Sequence, residues 1–132
     1  MSELHPNLIA IQKAVEAFNR NDIAAATAFI SPDVVYRIAG NSPIAGEHHG
    51  IAAFAGLIEI IKRLSNDTVR IQIEETLVND STVVLVTRVQ AEREGRVLDQ
   101  PQIYQYRFDD DGRIIEGRTV PVDLYAYDAF WA

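Results

Sequence analysis

The sequence predicts an α+β fold, a cone-shaped curved antiparallel sheet with three N-terminal helices closing one face. Three observations predict it. Apolar residues recur at helical spacing through most of the first half of the chain. From residue 69 onward they alternate with polar ones at a period of two. Short turn clusters rich in Asn, Asp and Gly then separate the alternating runs, the grammar of strands joined as a meander.

Leu8, Ile11, Val15 and Phe18 share one face of a helix predicted from Leu8 to about Arg20, with Asn7 before it as a cap. Asp22 is placed to cap a second, short helix, Ile23 to Phe29. Ser31-Pro32-Asp33 ends that helix, because Pro32 drives its predecessor out of the α region. Val34 to Ile38 reads as a strand, and Ala39 to Gly50, with three glycines and Pro43, as a loop. The third helix, Ile51 to Leu64, sets Ile51, Phe54, Leu57, Ile58, Ile61 and Leu64 on one face. Val69, Ile71 and Ile73 then begin the alternating strands. The second of these carries Val83, Leu85, Thr87, Val89 and Ala91 on one side. The third, Val97 to Phe108, carries Gln102, Tyr104, Tyr106 and Phe108, and the last runs from Arg113 to Val120. A curved sheet closed by helices leaves a wide end that side chains fill or a ligand occupies.

Composition narrows the function. The 132 residues hold 12 Lys+Arg against 19 Asp+Glu, a formal charge of −7, with 48% hydrophobic residues. That balance suits one globular domain over residues 1–132 and argues against nucleic acid or an anionic membrane as a partner, since both need a basic face. No cysteine is present, which excludes disulfide scaffolds, thiolate metal sites and cysteine nucleophiles. Met1 to Pro6 lacks the basic and apolar regions of a signal peptide, so a cytoplasmic location is expected. The adjacent His48 and His49 do not form a metal-ligand spacing, and neither a metal nor another cofactor is expected.

Several strings, in order, resemble the nuclear-transport-factor-2-like superfamily, in particular its SnoaL-like and ketosteroid-isomerase-like members. They are Phe18-Asn19-Arg20-Asn21-Asp22, Pro32-Asp33-Val34-Val35-Tyr36, Pro43-Ile44-Ala45-Gly46 with Gly50, and Tyr106-Arg107-Phe108 with Gly112-Arg113-Ile114. The tail Pro121-Val122-Asp123-Leu124-Tyr125-Ala126-Tyr127-Asp128-Ala129-Phe130-Trp131 resembles a bacterial SnoaL-like subgroup with a P-x-D-x-Y-A-x-D-x-F-W ending. The resemblance implies a cystatin-like α+β barrel and a homodimer. It also implies an internal pocket for a small apolar or carboxylate-bearing molecule.

Carried over position by position, the isomerase pattern breaks. Its general-base slot falls at Arg37, which stays protonated and cannot take a proton, and its two oxyanion slots fall at Val15 and Tyr104. A standard ketosteroid isomerase is therefore not expected. Arg37 and Tyr104, both directed into the cone, are the candidate electrophilic pair, holding a carboxylate or stabilising developing negative charge. The cyclase-type aspartate slot falls at Val122, one residue from Asp123, which either serves as a base or caps the C-terminal aromatic segment. His48, at the implied pocket edge, is the other candidate base, or a solvated loop histidine. Tyr36, Phe54, Gln102, Tyr106 and Trp131 complete the expected binding set. Two functions stay open: a cofactor-independent acid/base enzyme (isomerase, cyclase or hydrolase type) acting on a small apolar oxygenated metabolite, and a non-catalytic small-molecule-binding or dimerisation module.

Overall fold

The computed structural model describes residues 5–132, so the reading of residues 1–4 as free of a leader lies outside the described residues. Helix α1 spans Pro6–Asn19 and α2 Ile23–Ala26; strand β1 (Ile30–Ile38) and β2 (Gly46–His49) precede α3 (Ile51–Leu64). Strands β3 (Arg70–Val78), β4 (Thr82–Arg93), β5 (Arg96–Phe108) and β6 (Ile114–Pro121) follow, and α4 (Leu124–Trp131) ends the chain. The six strands form one sheet in the order β2-β1-β6-β5-β4-β3. The α+β class with a curved sheet is as the sequence predicts, with four corrections.

First, α1 begins at Pro6, which has no N–H to leave unpaired and a preset φ. His5 is the cap, its Nδ1 accepting from the Asn7 N–H at 3.1 Å. Second, α2 stops at Ala26. The Thr27 hydroxyl bonds back to the Ile23 carbonyl at 2.9 Å, and the chain already enters β1 at Ile30. Pro32 lies within that strand, where the pairing with β6 shifts register between Ile30 and Val35 and asks for no ladder donor. Third, the segment read as a loop contains β2, an edge strand bracketed by Gly46 and Gly50, both at positive φ. Fourth, the sheet is not wholly antiparallel, because β1 runs parallel to β6, and the aromatic tail adds the helix α4.

Alternation sets the two faces of the sheet. Val34, Tyr36 and Ile38 on β1, Val83, Leu85, Thr87, Val89 and Ala91 on β4, and Leu98, Gln102, Tyr104 and Phe108 on β5 are buried. They meet Leu8, Ile11 and Val15 of α1 and Phe54, Leu57 and Ile58 of α3 in one core. Register shifts in β3 between Ile73 and Glu75, and in β5/β6 near Phe108, bend the strands around that core. Asn19 ties the end of α1 to β3, donating to the Ile71 carbonyl and accepting from its N–H, both at 2.9 Å. Lys62, buried on α3, closes the same corner. Its ammonium donates to the Phe18 carbonyl at 2.8 Å and to Asp67 at 3.1 Å, 4.1 Å from the centre of the Phe18 ring.

Tyr36 lies across β6 at Gly117, its partner in register. A Cβ on Gly117 would stand 2.5 Å from the Tyr36 ring, whereas one on Gly56, within α3, would meet nothing. The Gly117→Ala substitution is expected to destabilise the fold by about 1–3 kcal/mol through overpacking. Gly56→Ala is expected to stabilise it by about 0.5–1 kcal/mol through restricted chain entropy in the unfolded state. Urea midpoints of the two variants moving in opposite directions from wild type check both.

Candidate active site

The concave face of the sheet and the helices enclose a cavity of about 100 Å³. An apolar hollow of about 150 Å³ takes up a benzene ring; this space is about a third smaller, so a ring would enter it only with some movement of the walls. Ile11 and Val15 of α1 and Phe54, Leu57 and Ile58 of α3 form its helical wall. The sheet supplies the polar groups: Tyr36 from β1, Gln102, Tyr104 and Tyr106 from β5, and Thr119 from β6. Tyr127 and Trp131 of α4 close the remaining side. Among the described residues, none that lines the cavity is charged and none is a histidine.

The phenols are positioned by one another. The Tyr36 ring sits 5.0 Å from Phe54 and 6.5 Å from Tyr106, centre to centre, and Tyr104 and Tyr106 stack in parallel at 6.3 Å. The Tyr36 hydroxyl shares a hydrogen bond with the Thr119 hydroxyl. Gln102 Nε2 donates to the Tyr104 hydroxyl at 3.0 Å. Burial disfavours phenolate in all of them. It pushes Tyr36 up to about 12, against the lowering effect of the Thr119 hydrogen bond, and holds Tyr104, Tyr106 and Tyr127 well above the usual range. The cavity therefore presents neutral O–H groups at physiological pH.

Of the nine site residues expected from the sequence, the structure gathers six in this cavity: Tyr36, Phe54, Gln102, Tyr104, Tyr106 and Trp131. The other three lie elsewhere. Arg37 does not face the interior, because Tyr36 and Ile38 do and β1 alternates. Its Nε donates to Glu47 Oε2 across the β1–β2 pair at 2.9 Å, with the side chain 37% exposed. That hydrogen bond, and a second from His49, hold the Glu47 carboxyl below its usual range. His48, on β2, spends Nε2 on the Ile44 carbonyl at 3.0 Å. Asp123 is exposed and caps α4, accepting from the Ala126 N–H at 3.0 Å.

Gln100 fixes the entrance of that helix. Its amide donates to the Asp123 carbonyl at 3.0 Å and accepts from the Asp123 N–H at 2.9 Å. The helix's C-terminal carbonyls are bonded by Arg96 and Arg93, from either side of the β4–β5 turn. The tail thereby folds onto its own chain, burying Tyr127, Phe130 and Trp131 and leaving Tyr125 92% exposed. Thr119 and Tyr127 are cavity residues that the sequence reading missed. Thr119 stands directly opposite Tyr104 in the β5–β6 pairing, a register visible only once the strands are aligned.

With this geometry in hand, the chain is identified as a member of the SnoaL-like domain family, which matches residues 11–117. It is similar to Bal32a, from a soil-derived mobile gene cassette, with 30% identity, TM-score 0.90 and 96% of each chain covered. It is also similar to a Xanthomonas campestris protein with a cystatin-like fold, of unknown function (26%, TM-score 0.90, 97% of this chain and 99% of that one). Two more distant structures share the fold alone. One is a putative polyketide cyclase of Streptomyces antibioticus (19%, TM-score 0.73, covering 89% and 93%). The other is a Mycobacterium tuberculosis protein in complex with estradiol-17β-hemisuccinate (20%, TM-score 0.76, covering 88% and 93%).

Two outcomes test the site as described. Four of the five tyrosines are held in the phenol form. Absorbance at 295 nm should thus report at most one ionised tyrosine in the native protein up to about pH 11. The unfolded chain ionises near the ordinary value of about 10, so it sheds protons before the native state does. Stability should be intact below pH 10 and fall as pH rises from there through 12. Separately, Asp123→Ala should cost about 1 kcal/mol, the loss of a helix cap, while leaving ligand affinity within about twofold; a loss of binding beyond tenfold would restore Asp123 to the site.

Proposed function

We propose that this protein binds a small, uncharged, largely apolar molecule bearing oxygen, held in the cavity by its phenols and the Gln102 amide. The observation that carries this reading is the composition of the lining: apolar walls, neutral O–H, amide and indole groups, and no ionisable base or cation. A carboxylate would enter such a space without a counter-charge, at a cost of several kcal/mol. The two distant structures of the same fold, one a putative polyketide cyclase and one complexed with a steroid ester, concern ligands of the same broad character.

The acid/base enzyme finds less support. Its proposed base, Asp123 or His48, and its proposed cation, Arg37, are engaged outside the cavity. What the cavity offers chemically is hydrogen-bond donation. Tyr104 accepts from Gln102 and so keeps its own proton to polarise a carbonyl or stabilise an enolate, and the Tyr36–Thr119 hydroxyl pair holds one further proton beyond the one it shares. One observation favours this second reading, an electrophilic enzyme whose proton acceptor belongs to the substrate: the two hydroxyls are already oriented by neighbours before any ligand arrives.

A panel of neutral ketones, phenols and lactones, each paired with a carboxylic acid of the same skeleton, tests the binding reading by thermal shift. Neutral members at about 100 times their Kd should stabilise by about 2.7 kcal/mol, and their acids at pH 8 should not. Arg37→Leu should leave these affinities within about twofold, and Tyr104→Phe should weaken the carbonyl compounds about tenfold. Preference for the acids, lost in Arg37→Leu, would return the arginine to the site and overturn the reading.

A further inference from the structure

Among the described residues Lys62 is the only charged one that is buried, at 7% exposed. It belongs to α3 and does not line the cavity. An ammonium is costly to bury unless it is paired and hydrogen-bonded, and here one residue, Phe18, receives it twice. The Lys62 Nζ donates to the Phe18 carbonyl at 2.8 Å and stands over the Phe18 ring, 4.1 Å from its centre. Its other partner, Asp67 at 3.1 Å, is seated by its own N–H, which donates to the Lys62 carbonyl at 2.7 Å. A single cation thus fixes both the backbone and the ring of Phe18.

Phe18 does line the cavity, and it is one of the few lining side chains that keep partial exposure. The others are Ala14 on α1, Ile61 on α3, Ile71 on β3 and Tyr106 on β5. Tyr106 packs among the rings of Tyr36 and Tyr104. The remaining four meet at one corner, where the ends of α1 and α3 reach the start of β3. Asn19 joins α1 to Ile71 there, and Lys62 joins α3 to Phe18. β3 is the last strand of the sheet on that edge, so side chains alone close the cavity at this corner.

Resting on the binding reading above, we infer that this corner is the entrance to the cavity, that the Phe18 ring is its door, and that Lys62 is the positioning residue that holds the door shut. A hollow too small for a ring needs one wall to yield when a ring enters. At this corner that asks for the rotation of one side chain away from one ammonium, a contact weak enough to break and re-form readily. The end of α1 stays tied to β3 by Asn19 meanwhile. The opposite wall is less free to move. Tyr127 and Trp131 are 3% and 2% exposed, on a helix held at its start by Gln100 and at its end by Arg96.

The chain has no cysteine, so a single Ile38→Cys substitution, on the cavity wall in β1 at a position 4% exposed, reports access to the interior. Its rate of reaction with methyl methanethiolsulfonate, a small neutral reagent, is measured in that parent and in variants built on it. Lys62→Met and Phe18→Leu should each raise the rate about fivefold or more, through loss of the hydrogen bond to a charged group or of the cation–π contact. The double variant should react within about twofold of the faster single one, because Lys62 acts through Phe18. Val83→Ala truncates the core away from the cavity and should leave the rate within about twofold of the parent, since it loosens no local opening at the corner. Equal rates in the parent, Lys62→Met and Phe18→Leu would overturn the entrance, as would no reaction in any of them. A rise in Val83→Ala as large as theirs would overturn it too, by showing a general loosening. A rise in Phe18→Leu alone would remove Lys62 as the latch. Each of these results leaves the binding reading standing, whose own failure shows separately, as no stabilisation of the wild type by any neutral compound of the thermal-shift panel.

Discussion

The interior of this protein depends on one close approach, the ring of Tyr36 lying over the backbone of β6 where Gly117 has no side chain. A Cβ there would sit inside the van der Waals envelope of the ring. With only hydrogen at that position, the ring lies flat enough for its hydroxyl to reach Thr119, two residues further along the same face. The contact spans the single parallel pair in the sheet, β1 with β6, where no short turn fixes the register. From it the other rings take their places: Phe54 and Tyr106 pack against Tyr36, and Tyr104 stacks on Tyr106. A residue without a side chain thereby sets the geometry of the cavity's polar wall.

The two faces of the same strands divide the chemistry between them. Ion pairs stand on the outer face: Arg37 with Glu47, Arg88 with Asp99 and Arg107 with Glu116, each at 2.9 Å. Arg37–Glu47 and Arg107–Glu116 are direct cross-strand partners. Exposed as they are, they add little stability, and their effect is more on register, since a slip of one residue would drive charge into the core. Around the cavity the inner face keeps only neutral polar groups, because an unpaired charge there would cost several kcal/mol; nearer the β4–β5 turn, Arg93 and Arg96 meet the carbonyls of α4 instead. The absence of charge around the cavity and the charge ladder outside it are thus one pattern seen from two sides.

The elements were legible in the sequence because their patterns are local. The period-two runs of β4 and β5, the helical faces of α1 and α3 and the cap at Asp22 all stand where the sequence predicts them. Gln102, Tyr104 and Tyr106 follow directly from the alternation on β5. The same rule, applied to β1, already turned Arg37 outward, since Val34, Tyr36 and Ile38 are its apolar set; the slot borrowed from the isomerases overrode the strand's own alternation. What local pattern does not carry is pairing. β2 is four residues with no apolar alternation and exists because β1 needs a partner on that edge. Thr119 became a site residue only through its register opposite Tyr104. The tail was legible as something that buries aromatics, but Gln100, Arg93 and Arg96, which hold α4 in place, are distant in sequence from the residues they bond.

These constraints together bound what the cavity does to a molecule inside it. Phenols whose pKa is raised by burial give up protons reluctantly and take up none, so they orient and polarise without acting as bases. Proton removal then requires an acceptor carried by the ligand or by water, since the carboxylates and histidines nearest the sheet edge are engaged elsewhere. Apolar walls strengthen each hydrogen bond that does form, by lowering the local dielectric, and raise the cost of each one left unmade. Selectivity in such a space comes from counting: every donor and acceptor of the ligand must meet a counterpart among Tyr36, Tyr104, Tyr106, Thr119, Gln102 and Trp131. The same physics that keeps charge off the cavity wall therefore makes an uncharged pocket discriminating.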